Sequence, residues 1–351
     1  MITQKPNFKF KQRRKDFWSK LAIFITSSIL ISSCGTDPAI RQAQEFGKLK
    51  ETFENNTNRL AEEFYLSCIR RLAYFAVREG TTGREQALES CETRNKPTVK
   101  EVKDANKIII NYINSIGKLA ADDLVNFDDE FENIKNSLNN LAIPTSSGNV
   151  TLPSGAVNTG TKIASFIFGW ATNQYRTGVL REAIVCTDSP FQSYSDGLQF
   201  IYNRGYINGV LLDEQIEARS YYNAYITRLR GTGTDRDFME LERESSQAEQ
   251  FFVKQRNLAE DYITIIDVTA KAHGQLKDLF ANSSDAPSEE SCAVYLEAKD
   301  SENNTTSVDS SERPLNEPLT LEELTQVRKI ASDYQREIKP ILERMQKKLN
   351  D

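Results

Sequence analysis

Residues 98–141 read TVKEVKDANKIIINYINSIGKLAADDLVNFDDEFENIKNSLNNL, and this stretch decides the fold class. Val102, Ile109, Ile113, Ile116, Ala120, Leu124, Phe127, Phe131, Ile134, Leu138 and Leu141 trace one apolar stripe. Its steps are mainly alternating threes and fours, with one skip near Leu124. That spacing gathers apolar side chains on one face of an α-helix. A mean step near 3.5 is the seam of a coiled coil. Thr98 and Glu101 stand three apart, as in a capping box. The pattern predicts a single helix of about 45 residues, roughly 65 Å long at 1.5 Å per residue.

The flanking sequence extends the pattern in both directions. Upstream, Asp37-Pro38 is an N-cap followed by proline at the first helical position. Phe46, Leu49, Phe53, Leu60, Phe64, Ile69, Leu72 and Phe75 then recur at helical spacing. Gly80-Thr-Thr-Gly83 interrupts them, which predicts a helical hairpin. Downstream, PTSSGNVTLPSG (144–155) reads as a polar connection. A helix is expected from Val157 to about Cys186, a break at Asp188-Ser189-Pro190, and a helix to Leu229. Gly231-Thr-Gly233 ends it, and another runs from Thr234 or Asp235 to about Phe280. Residues 282–318 are rich in Ser, Asn, Asp, Glu and Pro and read as a polar linker. The last helix opens on a second capping box, Thr320-Leu-Glu-Glu323, and carries Leu324, Val327, Ala331, Tyr334, Ile338, Ile341, Met345 and Leu349 in strict alternation, with Pro340 expected to kink it. No repeat of 20–50 residues is present, which argues against a solenoid. The fold expected is all-α: an elongated bundle of long antiparallel helices with coiled-coil-like packing. It divides into a hairpin over 34–97, a central bundle over 98–281, the linker, and an amphipathic helix over 319–351.

The first 34 residues are of another kind. Lys5, Lys9, Lys11, Arg13, Arg14, Lys15 and Lys20 precede the apolar run Leu21–Ile31, which ends in Ser32-Ser33-Cys34. A basic, then apolar, then small-residue order is that of an export signal. The apolar run is too short and too interrupted by serine for a membrane span of about 20 residues. A cysteine at the cleavage position resembles the lipobox of bacterial lipoproteins, a likeness that covers residues 1–38. The resemblance implies that 1–33 are a removed signal peptide. It also implies that Cys34 carries acyl chains, palmitate among them, and that the chain is held at the cell envelope. Gly35, where aspartate would favour inner-membrane retention, points to the outer membrane over the inner.

Charge and cysteine usage agree with export. The net charge is −6. Seven bases against Asp16 in residues 1–33 leave −12 for residues 34–351. So acidic a body argues against nucleic acid and against electrostatic adhesion to anionic lipid. Membrane contact would come through acyl chains. Beyond Cys34 there are four cysteines, Cys68, Cys91, Cys186 and Cys292, an even count that suggests two disulfides. Cys68 and Cys91 are equidistant from 79.5, the hairpin turn, so the two arms would bring them to one height. By elimination Cys186 pairs with Cys292.

No constellation of catalytic residues, metal ligands or cofactor contacts stands out. Gly155-Ala-Val-Asn-Thr-Gly160-Thr161-Lys162 misses the phosphate-binding motif, because Thr and Lys are in the wrong order; it reads as an interhelical loop. Asp122, Asp123, Asp128, Asp129, Glu130 and Glu132 read as a solvated acidic face. His273 is the one histidine, too few for a di-iron bundle, and reads as surface or interhelical. The apolar run 163–171 reads as buried core, with membrane or ligand contact as the alternative. Tyr194, Tyr202, Tyr206, Tyr221, Tyr222 and Tyr225 suit either a core–water boundary or an interface. The function expected is a non-enzymatic, lipid-anchored scaffold or interaction module with an envelope protein as partner. The C-terminal helix is its expected contact element, and packing on its own bundle is the usual fate of such a helix. The alternative is a bundle that holds an apolar ligand or lipid in its core, and a hydrolase comes last.

Overall fold

The computed structural model describes residues 38–120, 131–172, 178–282, 287–288, 292 and 320–350. Cys34, the acidic residues 122–130 and most of the linker lie outside them. Helical backbone runs through α1, Pro38–Ser90, yet α1 is not straight. Cys68 and Cys91 are disulfide-bonded with Cα atoms 5.8 Å apart. A straight helix would separate them by about 35 Å. The Tyr65 hydroxyl donates to Glu92, and Lys103 pairs with Glu62 at 2.8 Å. The chain therefore reverses near Gly80, and the arms lie antiparallel.

The second arm continues through a π-helical turn, Cys91–Asn95, into α2, Lys96–Ala120. Pro97 and Thr98 do not open a helix. A π turn skips one carbonyl, and proline lacks the N–H that would have sought one, so the two deficits coincide. The Thr98 hydroxyl donates to the carbonyls of Arg94 and Ala142, at 3.1 and 3.3 Å. The single 45-residue helix over 98–141 is also corrected. α3, Phe131–Asn140, lies back along α2. The Ser137 hydroxyl donates to Asp104 at 2.7 Å, and Lys100 reaches both residues. A stripe of period 3.5 is satisfied equally by a partner helix or by its own chain folded back.

The expected polar connection is a β-hairpin. β1, Ala142–Thr145, pairs antiparallel with β2, Gly148–Thr151, in the register Ala142↔Thr151. Gly148 takes φ 118° at the turn, a conformation that favours glycine. α4, Ser154–Thr172, includes the whole of 155–162, so that stretch is helix and no loop. α5, Gly178–Phe200, runs through Pro190. The predicted break at Asp188-Ser189-Pro190 is absent. Cys186, Phe191 and Tyr194 on the buried face hold α5 across its proline. α4 and α5 are antiparallel and very close. A Cβ on Gly160 would sit 2.6 Å from Tyr194, and one on Gly197 would sit 2.3 Å from Ala156.

The helix continues through a ten-residue π segment, Ile201–Val210, into α6, Leu211–Leu229. Thr234 and Asp237 form a reciprocal capping box that opens α7, Asp235–Ala281. α8, Leu321–Asn350, opens on the predicted Thr320–Glu323 box. It lies antiparallel on α7, with Tyr334 bonded to Thr269 and Lys348 to Asp261. Val327, Ala331, Tyr334, Ile338, Ile341, Leu342 and Met345 are buried there. The C-terminal stripe is thus core: of the two fates expected for this helix, packing on its own bundle is the one observed. Phe53, Leu60 and Phe64 of α1 share the same core. The fold is an all-α helical bundle with one small hairpin. Ile338 is fully buried, so Ile338→Ala should lower unfolding free energy by about 2–5 kcal/mol, measured by urea denaturation. A cost under about 1 kcal/mol would mean that α8 is peripheral.

Candidate functional site

The bundle's interior is filled by tyrosines whose hydroxyls all have partners. Tyr262 donates to the Asn106 side-chain oxygen at 2.8 Å, and the Asn106 amide donates to Tyr202 at 2.8 Å. Tyr194 donates to the Ala105 carbonyl at 2.6 Å, and Tyr206 to Gln255 at 3.4 Å. Burial raises the pKa of each of these hydroxyls. They are neutral structural donors, and three of the six tyrosines singled out in the sequence are core.

His273 is fully buried. Its ring stacks on Phe191 at 4.6 Å, its Nδ1 bonds the Tyr112 hydroxyl, and its Nε2 lies 3.7 Å from Asp188. Burial lowers its pKa to about 3, with the Ile184 carbonyl opposing the shift. Unfolding restores an ordinary value near 6.5. A depressed folded pKa gives stability that is present above pH 6.5 and lost as pH falls towards 3. Between pH 6.5 and 4.5 the wild type should lose about 2 kcal/mol more stability than His273→Phe. Parallel pH–stability curves would show that His273 is not buried in neutral form.

The concave sites are at the surface. An open groove of about 660 Å³ lies between α4 and α5, lined by Pro153, Ala156, Gln192, Gly197 and Phe200 among others. A narrower cleft of about 330 Å³ lies where α1, the Cys91–Asn95 π turn, the β-hairpin and the start of α6 meet. Arg71, Arg94, Asn95, Ser146 and Asp213 are on its walls, and Cys68 of the disulfide borders it. Gly209 lets the hairpin approach: a Cβ there would sit 2.6 Å from Thr145. Behind the cleft, Arg70 holds buried Glu214 at 2.8 Å and Glu63 at 2.7 Å. Burial raises the Glu214 pKa, against the pull of Arg70.

The most exposed element is the far end of the α6–α7 pair. From 219 to 250 the one buried residue is Leu241. Arg219 and Glu249 bridge the two helices through a two-pronged pair at 2.6 and 2.8 Å. Tyr221, Tyr222 and Tyr225 cluster beside Tyr74 of α1. Met239 is 74% exposed and Val253 56%.

The structure joins the four cysteines as two disulfides, Cys68–Cys91 and Cys186–Cys292. Among the described residues no group of three His, Cys, Asp or Glu side chains could hold a metal ion. No helix there is long and apolar enough to cross a membrane. Of the apolar run 163–171, Ile163 and Ala164 are buried. Sequence reasoning missed the cleft, whose residues are scattered between 68 and 213; the Arg70-Arg71 and Asp213-Glu214 pairs were its only local trace. Comparison with protein-family models, curated proteins and solved structures finds no match to this chain.

Proposed function

We propose that this protein is a lipid-anchored component of the bacterial cell envelope, with the outer membrane favoured, that acts by binding another envelope protein. Acyl chains on Cys34 would hold it to the membrane. The observation that carries the reading is the position of the α6–α7 arm relative to the start of α1. Phe53 meets Tyr262, and Arg70 lies over Phe251 at 4.5 Å, so α1 and α7 run antiparallel. The α1 start at Pro38 is therefore level with the end of α7, near 280. The arm tip at 230–234 is at the opposite end. The arm spans about 20 Å of paired helix. It offers tyrosines and an exposed methionine, residue types enriched in protein interfaces.

A second reading, an apolar ligand, has one favouring feature: the α4–α5 groove with Phe200 at its edge, 41% exposed. The tyrosine-filled core leaves that ligand to the surface groove. A photocrosslinking residue in place of Met239 decides between contact and ligand transport. In intact cells the contact reading expects a discrete protein adduct that disappears in Tyr221→Ala/Tyr225→Ala. If Met239 gives no adduct while a probe at Phe200 labels lipid, the ligand reading replaces it. Fatty-acid labelling should be lost in Cys34→Ala; equal label on that variant would remove the anchor.

A further inference from the structure

We infer that the cleft beside the Cys68–Cys91 disulfide is a binding site for a small oxyanion, a carboxylate or phosphate group on a small molecule. Its volume, about 330 Å³, lies at the lower end of the range for small-ligand sites. Asn95 is 6% exposed and lines the cleft. Its side-chain amide stands beside the arginines of the lining.

The charges around Asn95 favour an anion. Arg71 and Arg94 contribute two guanidinium groups to the lining, and Asp213 is the single carboxylate. Asp213 is already engaged: the Ser146 backbone N–H donates to it at 2.7 Å, the Ser146 hydroxyl at 2.5 Å, and Arg71 lies 3.7 Å away. The lining is thus net positive, within a body that carries −12 over residues 34–351. Guanidinium and amide donors together suit the oxygens of a carboxylate or phosphate.

The walls are also fixed in place. The disulfide ties the two arms of the α1 hairpin at the cleft's edge. Asn95 closes one π-helical segment, and Val210, also on the lining, closes the other. π turns are frequent at functional sites. The packing of Gly209 on Thr145 sets the hairpin against the second one.

Isothermal titration of the full chain in detergent, at low chloride, with inorganic phosphate and separately with succinate, tests the proposal. Saturable one-to-one binding of either probe is expected, and which probe binds tells a phosphate site from a carboxylate site. Arg94→Ala, at an exposed position, and Ser90→Trp, at the lining, should each weaken binding at least tenfold with thermal unfolding unchanged. Asn95→Leu should do the same, and the two other variants keep the test decisive if it fails to fold. If neither probe binds, or if Arg94→Ala and Ser90→Trp bind as the wild type does, the proposal is wrong.

Discussion

The hydrogen bonds of Asn106 to Tyr202 and Tyr262 are the constraint on which the bundle depends. Asn106 is fully buried on α2, Tyr202 lies on the π segment after α5, and Tyr262 lies on α7. A stripe of leucines tolerates sliding by one turn, because one apolar contact replaces another. A buried hydroxyl does not tolerate it, because a shift by one turn leaves it without a partner, at a cost of about 1–3 kcal/mol. Tyr194 on the Ala105 carbonyl and Tyr334 on Thr269 repeat the device at other levels. Together they fix the heights of α2, α5, α7 and α8 relative to one another.

The tyrosines fill the interior, and the groove and the cleft described above lie at the surface. The fixed heights decide where its features lie. The start of α1 and the end of α7 share one end of the bundle, and the exposed half of the α6–α7 pair is at the other. Register also builds the cleft: Arg70 and Arg71 of α1 meet Glu214 and Asp213 of α6, and the Cys68–Cys91 disulfide brings Ser90, Arg94 and Asn95 of the second arm beside them. One disulfide therefore secures both the hairpin and the wall of a polar site.

The sequence made the helices legible because their signals are local. The Thr320–Glu323 box and the Gly231-Thr-Gly233 turn each act within one or two turns of chain, and the paired cysteines are 23 residues apart across one hairpin. The failures were long-range. The stripe over 98–141 does not reveal whether its partner is another helix or its own continuation. Pro190 marks a break by intrinsic preference, but burial of Cys186, Phe191 and Tyr194 overrides it. The hairpin at 142–151 looked like a loop because Ile143 is the one buried residue of its first strand, and its partner, Gly205, is 62 residues away; a Cβ there would sit 2.9 Å from the Ile143 side chain. The cleft was least legible of all, since no local pattern marks residues that meet only after folding.

A double-mutant cycle at Asn106 tests the central claim most directly. Asn106→Ala removes the partner of two buried hydroxyls and should cost about 2–4 kcal/mol in urea unfolding. In a Tyr202→Phe/Tyr262→Phe background those hydroxyls are gone, and the same substitution should cost at least about 1 kcal/mol less. If Asn106→Ala costs the same in both backgrounds, the tyrosine hydroxyls do not set the register, and apolar packing alone holds the bundle.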